Sequence, residues 1–310
     1  MPEFPKVIVS SVIRSAYQGE SHGGVYIVDL ATDSFEQVID WNDQAINWEG
    51  RGLDRGLRGI SINGDQVYLA ASDEIFVYDR NFNRLESYRN PYLKHCHEIY
   101  MGEKYLYVTS TGFDSILLLD LETGRFVKGY TLRFVSSEQK LHFSCFDPNS
   151  ANGPLPGDTI HINNVHGMDE IMFASSLGLD RLFYIRKETL FFFSHIPTGT
   201  HNARPYVDGV LLNDTQNDKV SYLDLDGQVI HSSEIKHYPE NDLQYKSLPK
   251  DHARQGFARG LCIADNDLII GGSSPATISV YRLGTPRAVK TVNLTMDVRN
   301  SIHGLEIWPS

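Results

Sequence analysis

An apolar run of four or five residues, a short polar turn and a second run recur six times along the chain. The copies are "VYIVDLATDSFEQVI" from Val25, "IFVYDRNFNRLESY" from Ile75, "ILLLDLETGRFVKGY" from Ile116, "LFYIRKETLFFFSH" from Leu182, "VSYLDLDGQVIHSS" from Val220 and "ISVYRLGTPRAVKTV" from Ile278. Runs of this length bounded by turn residues predict hairpins. Two more short strands lie ahead of each hairpin, as in "RGISINGDQVYLAAS", "HEIYMGEKYLYVTST" and "RGLCIADNDLIIGGS". Asn63-Gly64 and Asp208-Gly209 mark turns between them, where positive φ costs glycine nothing. Four antiparallel strands every forty-odd residues is the pattern of a propeller blade, and no long amphipathic helical pattern competes with it.

The first copy lacks one strand. "SIHGLEIWPS" has the inner-strand pattern with no hairpin after it, and "KVIVSSVIRS" has the second-strand pattern with nothing before it. Together they complete a blade and remove an open sheet edge. The expectation is an all-β, six-bladed β-propeller closed by strands from both termini, a single domain over residues 1–310.

With 41% apolar and 22% charged residues, the 310-residue chain can bury a large core. Its net charge of -11 repels polyanions, so no nucleic acid and no membrane surface is expected as a partner. Cys96, Cys145 and Cys262 are an odd number without CxxC spacing, which points to reduced thiols and a cytoplasmic setting. The start of the sequence has no run of signal-peptide length, and "SILLLDL" and "TLFFFSHI" are too short to cross hydrocarbon.

Aligned on their apolar positions, the inner strands put Arg58, His97, Asn163, Ala203, Arg259 and His303 at one place, read as the first residue of each strand. Two residues earlier lie Gly56, His95, His161, His201, Phe257 and Ser301. In a propeller the inner strands line the channel, so His95, His97, His161, His201 and His303 are expected to converge at one mouth. Three or four imidazoles there suit one divalent transition metal, zinc or iron, with a position left for substrate or water. Arg58 and Arg259 could fork onto the carboxylate or phosphate of a small anionic substrate. Glu98 is a candidate base or support for a ligand histidine, while alternation points Cys96 into the core. Three long connections, 41–56, 133–160 and 236–257, have the length of lids over that mouth. No GxSxG elbow accompanies the HGG at His22, which disfavours serine hydrolase chemistry and leaves His22 as a turn residue. "GGSSPAT" reads as a blade turn.

Each of these residues also has a structural reading, in which imidazoles tether blade turns and arginines bracket loop carbonyls. The set as a whole is read as a metal site, because ligands must share one level and tethers need not. Its arrangement resembles that of peptidylamidoglycolate lyase, a six-bladed propeller in which three inner-strand histidines hold a divalent metal flanked by two arginines. "HNARPYVDGVLLNDT" and "HINNVHGMDEIMFASS" are similar to segments of an uncharacterised bacterial propeller family with His-Ser-Pro-Arg and His-Val-Asn phrases, Asn202-Ala203 standing in place of Ser-Pro. Regucalcin and gluconolactonase propellers hold their metal with carboxylates and asparagines, where this chain has histidines. The expected function is a metal-dependent lyase or hydrolase. A non-catalytic propeller binding a protein or small ligand, or a histidine-ligated iron oxygenase, is the alternative.

Overall fold

The computed structural model describes residues 4–42, 56–135, 137–138, 140–168, 171–250, 253–264 and 268–309. These form six antiparallel sheets, an all-β six-bladed propeller, with two short 3-10 turns at Thr111–Phe113 and Glu240–Asp242. No helix among the described residues is long and apolar enough to cross a membrane. Contacts group the chain into two compact units, one of Met1–Arg58, Leu212–Tyr222 and Val229–Ser310, the other of Gly59–Leu211 and Leu223–Gln228.

In the first unit, the first blade is ordered Asn300–Ile307, Lys6–Ile13, Gly23–Asp29, Ser34–Asp40, so the strand near the end of the sequence pairs with the strand near its start as expected. Val7 faces Ile307 and Val12 faces Ser301, with a bulge between Val9 and Ser11. The sixth blade is Leu261–Ile263, Ile269–Ser273, Thr277–Tyr281 and Lys290–Asn293. Val7, Val9, Ile270, Ile278, Ile302 and Leu305 join these two blades in one buried core. Gly272 permits the approach, since a Cβ there would stand 2.4 Å from Ile302 Cγ2.

In the second unit, the second blade is Ile60–Asn63, Gln66–Ala71, Glu74–Tyr78 and Arg84–Arg89, and the fourth is Ile162–Met168, Ile171–Ser176, Arg181–Arg186 and Thr189–His195. The third blade has five strands, Ile99–Met101, Tyr105–Ser110, Ser115–Asp120, Arg125–Val135 and Lys140–Phe146. The fifth strand corrects the expected lid over 133–160. "KLHFSCF" alternates, and it pairs back from Val135↔Lys140 to Gly129↔Phe146 with Phe143 stacked on Tyr130 at 5.7 Å. The fifth sheet is Thr200–Tyr206, Gly209–Asp214, Lys219–Leu223 and Val229–Glu234.

Four of the six hairpins turn on an aspartate at the end of the third strand. Asp29 accepts the N–H groups of Ala31 and Thr32, Asp79 those of Asn81 and Asn83, Asp120 those of Glu122 and Thr123, and Asp224 those of Asp226 and Gln228. The carboxylate satisfies turn amides that the ladder leaves over, which is why the phrase recurs as apolar run, Asp, polar turn. The turn at Asp208-Gly209 is made differently: the left-handed residue is Val207, at φ 51° and 78% exposed, and Gly209 already begins the next strand.

Consecutive blades are latched by buried side chains that donate to carbonyls at the start of the next inner strand. In the second unit Thr111 Oγ1 donates to Ile162 O at 2.5 Å and Asn164 Nδ2 to Ala203 O at 2.7 Å. In the first, Ser10 Oγ donates to Arg58 O, Asn213 Nδ2 to Gly260 O at 3.1 Å and Thr215 Oγ1 to Ala258 O at 2.7 Å. Asn213 is fully buried. Asn213→Ala is therefore expected to cost about 1–2 kcal/mol, read as a lower urea midpoint at unchanged slope. An unchanged midpoint would show that the latch contributes nothing to stability.

Candidate functional site

A left-handed residue turns the chain toward the inner strand in four blades: His95 at φ 54°, His161 at 60°, Asn202 at 49° and Phe257 at 31°. Such φ is uncommon for a histidine and rare for a phenylalanine. Each lies two residues before a polar side chain, His97, Asn163, Arg204 and Arg259 respectively. This shifts the expected alignment in the fifth blade by one residue, from His201 and Ala203 to Asn202 and Arg204. The latch agrees, because the carbonyls held at Ile162, Ala203 and Ala258 each immediately precede Asn163, Arg204 and Arg259. The aligned residues also do not all begin their strands. Arg58, His97 and Arg259 lie two residues before them, and His303 lies within Asn300–Ile307.

In the second unit the His97 and His161 rings meet edge to face at 4.8 Å. His97 Nδ1 lies 2.9 Å from His95 O and 2.8 Å from Thr111 Oγ1, whose own proton goes to Ile162 O. Both neighbours accept, so Nδ1 carries a hydrogen. His161 Nδ1 lies 3.0 Å from each oxygen of Asp158, which places a hydrogen there likewise. Asp114 holds this segment by accepting the N–H groups of Thr159, at 2.6 Å, and His161, at 2.9 Å. His201 is buried in the same unit and His95 partly so. Cys96 packs in the core with Leu93 and Ile99, as alternation implied. Glu98 Oε1 accepts from Ile99 N at 3.2 Å. Among the described residues, no group of three or more His, Cys, Asp or Glu side chains is placed to hold one metal ion.

In the first unit, arginines gather round one aromatic ring. The guanidinium carbons of Arg14, Arg259 and Arg254 stand 4.1, 4.3 and 5.2 Å from the centre of Phe257. Arg254 is matched by Asp218, which takes Nη1 on both oxygens at 2.6 and 2.7 Å, while Nη2 donates to Thr215 O. Arg259 and Arg58 are buried. Burial, and then the charges of Arg14, Arg58 and Arg254, hold Arg259 well below the usual guanidinium range. Burial and Arg254 bring Arg14 down to about 10. His303, 6% exposed, belongs to this unit.

Inner-strand alignment found Arg58 and Arg259 but missed Arg14, Arg254 and Phe257 as parts of the cluster. Phe257 was visible in register with His95 and His161, and its left-handed φ was the missing signal. Arg14 follows the second strand and Arg254 lies in a loop, so no inner-strand register contains them. Segment 236–257, expected as a lid, is tied down: Gln244 N donates to Met296 O at 3.0 Å, and Arg299 lies 3.7 Å over the Tyr245 ring while pairing with Asp297. Of the expected lid 41–56, positions 43–55 lie outside the described residues. His22 is fully buried, its backbone N–H donating to Trp41 O at 2.8 Å. "GGSSPAT" does form the turn between the second and third strands of the sixth blade.

No protein-family model and no curated protein matches the sequence. Among solved structures, the chain is similar to a protein of unknown function from Bacteroides caccae, with TM-score 0.60 and 9% identity over 97% of this chain and 98% of that one. It is also similar to the computationally designed Ika8 protein, with TM-score 0.52 and 11% identity over 97% and 91% of the two chains. A catalytically inactive virginiamycin B lyase from Staphylococcus aureus aligns at TM-score 0.48 and 14% identity over 87% and 78%. At these identities the likeness concerns the fold: the class the chain shares with its neighbours is the β-propeller.

One residue of the second unit gives a pH signature. His166 meets Tyr100 edge to face at 4.8 Å, and burial, then Arg204, brings its pKa from 6.5 to about 3. Above pH 6.5 the ring is neutral whether the chain is folded or not, and stability is unaffected. As pH falls from 6.5 toward 3, the unfolded chain binds a proton that the folded one does not. Stability is then lost at up to about 1.4 kcal/mol per pH unit. His166→Gln is expected to flatten the loss between pH 6.5 and 4 in urea melts. A variant whose profile runs parallel to the parent would contradict the assignment.

Proposed function

We propose that the chain is a propeller that binds a small anionic molecule, with Arg58 and Arg259 of the first unit taking the anion. What carries this reading is the gathering of three guanidiniums on the ring of Phe257, two of them held below their usual pKa by burial and by one another. Like charges gathered on one ring repel, and the more strongly the further they are from water. A bound anion converts that repulsion into binding energy, with donor geometry suited to a carboxylate or phosphate.

A second, catalytic reading rests on His97 and His161. Their Nδ1 atoms face a backbone carbonyl and a carboxylate, the orientation that such acceptors impose on metal-binding histidines, and the two rings lie 4.8 Å apart. In this reading the protein is a metal-dependent lyase or hydrolase. His97 and His161 would hold one divalent transition metal, zinc or iron, with His95 and His201 of the same unit as further donors and Glu98 as a base. Such a metal supplies Lewis-acid polarisation of substrate or activation of water. Asp158 and Thr111 keep the two imidazoles in the required tautomer whether or not a metal is bound.

Calorimetric titration with small carboxylates and phosphates tests the first reading. Arg259→Met is expected to weaken binding at least tenfold with the β-sheet circular dichroism unchanged; equal affinity in parent and variant would refute it. Metal content of untagged protein tests the second. Near-stoichiometric zinc or iron, lost in the His97→Ala, His161→Ala double variant, is expected, and a content that the double variant does not change removes the catalytic reading alone.

A further inference from the structure

Resting on the anion-binding reading, we infer that the ligand group taken by the arginine cluster is a phosphoryl group, and that Arg14 is one of its donors. Arg14 directly follows the strand Lys6–Ile13, and its backbone N–H is fixed on Arg299 O at 3.0 Å, so its side chain leaves from a rigid position. It shares the ring of Phe257 with Arg259, at 4.1 and 4.3 Å. A guanidinium held by an aromatic face through its charge still has N–H donors to give an anion.

The third arginine on that ring is differently employed. Arg254 spends Nη1 on Asp218 and Nη2 on Thr215 O, so it contributes positive potential while its fork is occupied. The neighbour that acts on Arg14 is again a cation, Arg254. A monocarboxylate carries one negative charge on two oxygens in one plane. A phosphoryl group carries between one and two negative charges at neutral pH and three terminal oxygens, which matches guanidiniums arriving from more than one strand. A cavity of about 300 Å³, where Arg254, Lys246 and Lys250 stand with Asp218 and Glu240, adjoins the cluster through Arg254 and has the size for the rest of a phosphate monoester.

The test compares phenyl phosphate with benzoate, which share the aryl ring and differ in the anionic group, by calorimetry on the full chain at constant ionic strength. Phenyl phosphate is expected to bind at least tenfold more tightly. Its affinity should rise from pH 5 to 7.5, as the second ionisation near pH 6 completes the dianion. Arg14→Lys keeps the charge and loses the fork, and is expected to weaken phenyl phosphate at least fivefold while leaving benzoate within twofold. Benzoate binding as tightly as phenyl phosphate, a flat pH profile, or an unaffected Arg14→Lys variant would overturn the phosphoryl assignment and leave anion binding standing. If neither compound binds the parent protein, both readings fall together. The pH profile needs no variant, so poor folding of Arg14→Lys does not blunt the test.

Discussion

The constraint on which the rest depends is the anchoring of the inner strands of four blades at their first turn. A hydroxyl or amide from the preceding blade seizes one carbonyl there: Thr111 on Ile162, Asn164 on Ala203, Thr215 on Ala258, Ser10 on Arg58. In three of these cases a left-handed residue immediately precedes the held carbonyl. A backbone fixed on both sides cannot slide in register, since a one-residue slip would put the next side chain on the wrong face. The polar side chains that follow, among them Asn163, Arg204 and Arg259, therefore leave from defined positions.

That rigidity makes the arginine cluster chemically meaningful. On flexible loops, guanidiniums would move apart until water screened them. Here the positions of Arg14, Arg259 and Phe257 are set by sheets and latches, and the repulsion stays in the folded state. The molecule as a whole carries a net charge of -11, so its long-range field disfavours polyanions while the local potential favours a small one. The histidine pair obeys the same logic on a smaller scale, because Asp114, Asp158 and Thr111 orient it by hydrogen bonds.

Much of the fold was legible because blade patterning is local. The apolar run, the aspartate and the polar turn are contiguous, and Asp29, Asp79, Asp120 and Asp224 repeat one piece of hydrogen-bond chemistry. The closing strand was legible because an unpaired inner strand at one end matched an incomplete blade at the other. The fifth strand at Lys140–Phe146 was not, since its alternation is shared among Leu141, Phe143 and Phe146 and is interrupted by polar residues suited equally to a loop. The site was legible only where it follows inner-strand register, as with Arg58, His97 and Arg259. Arg14 reaches Phe257 through space from a second strand, and His201 was displaced by the single-residue shift that Asn202 introduces. Such shifts arise from backbone φ, which a sequence specifies weakly for residues other than glycine.

The account stands or falls on whether an oxyanion settles on those guanidiniums. Crystals grown in selenate, a tetrahedral dianion with an anomalous signal, give the most direct measurement. A selenium peak within hydrogen-bond reach of Arg14 and Arg259 is predicted; selenium found only elsewhere on the protein, with that position empty, would contradict it.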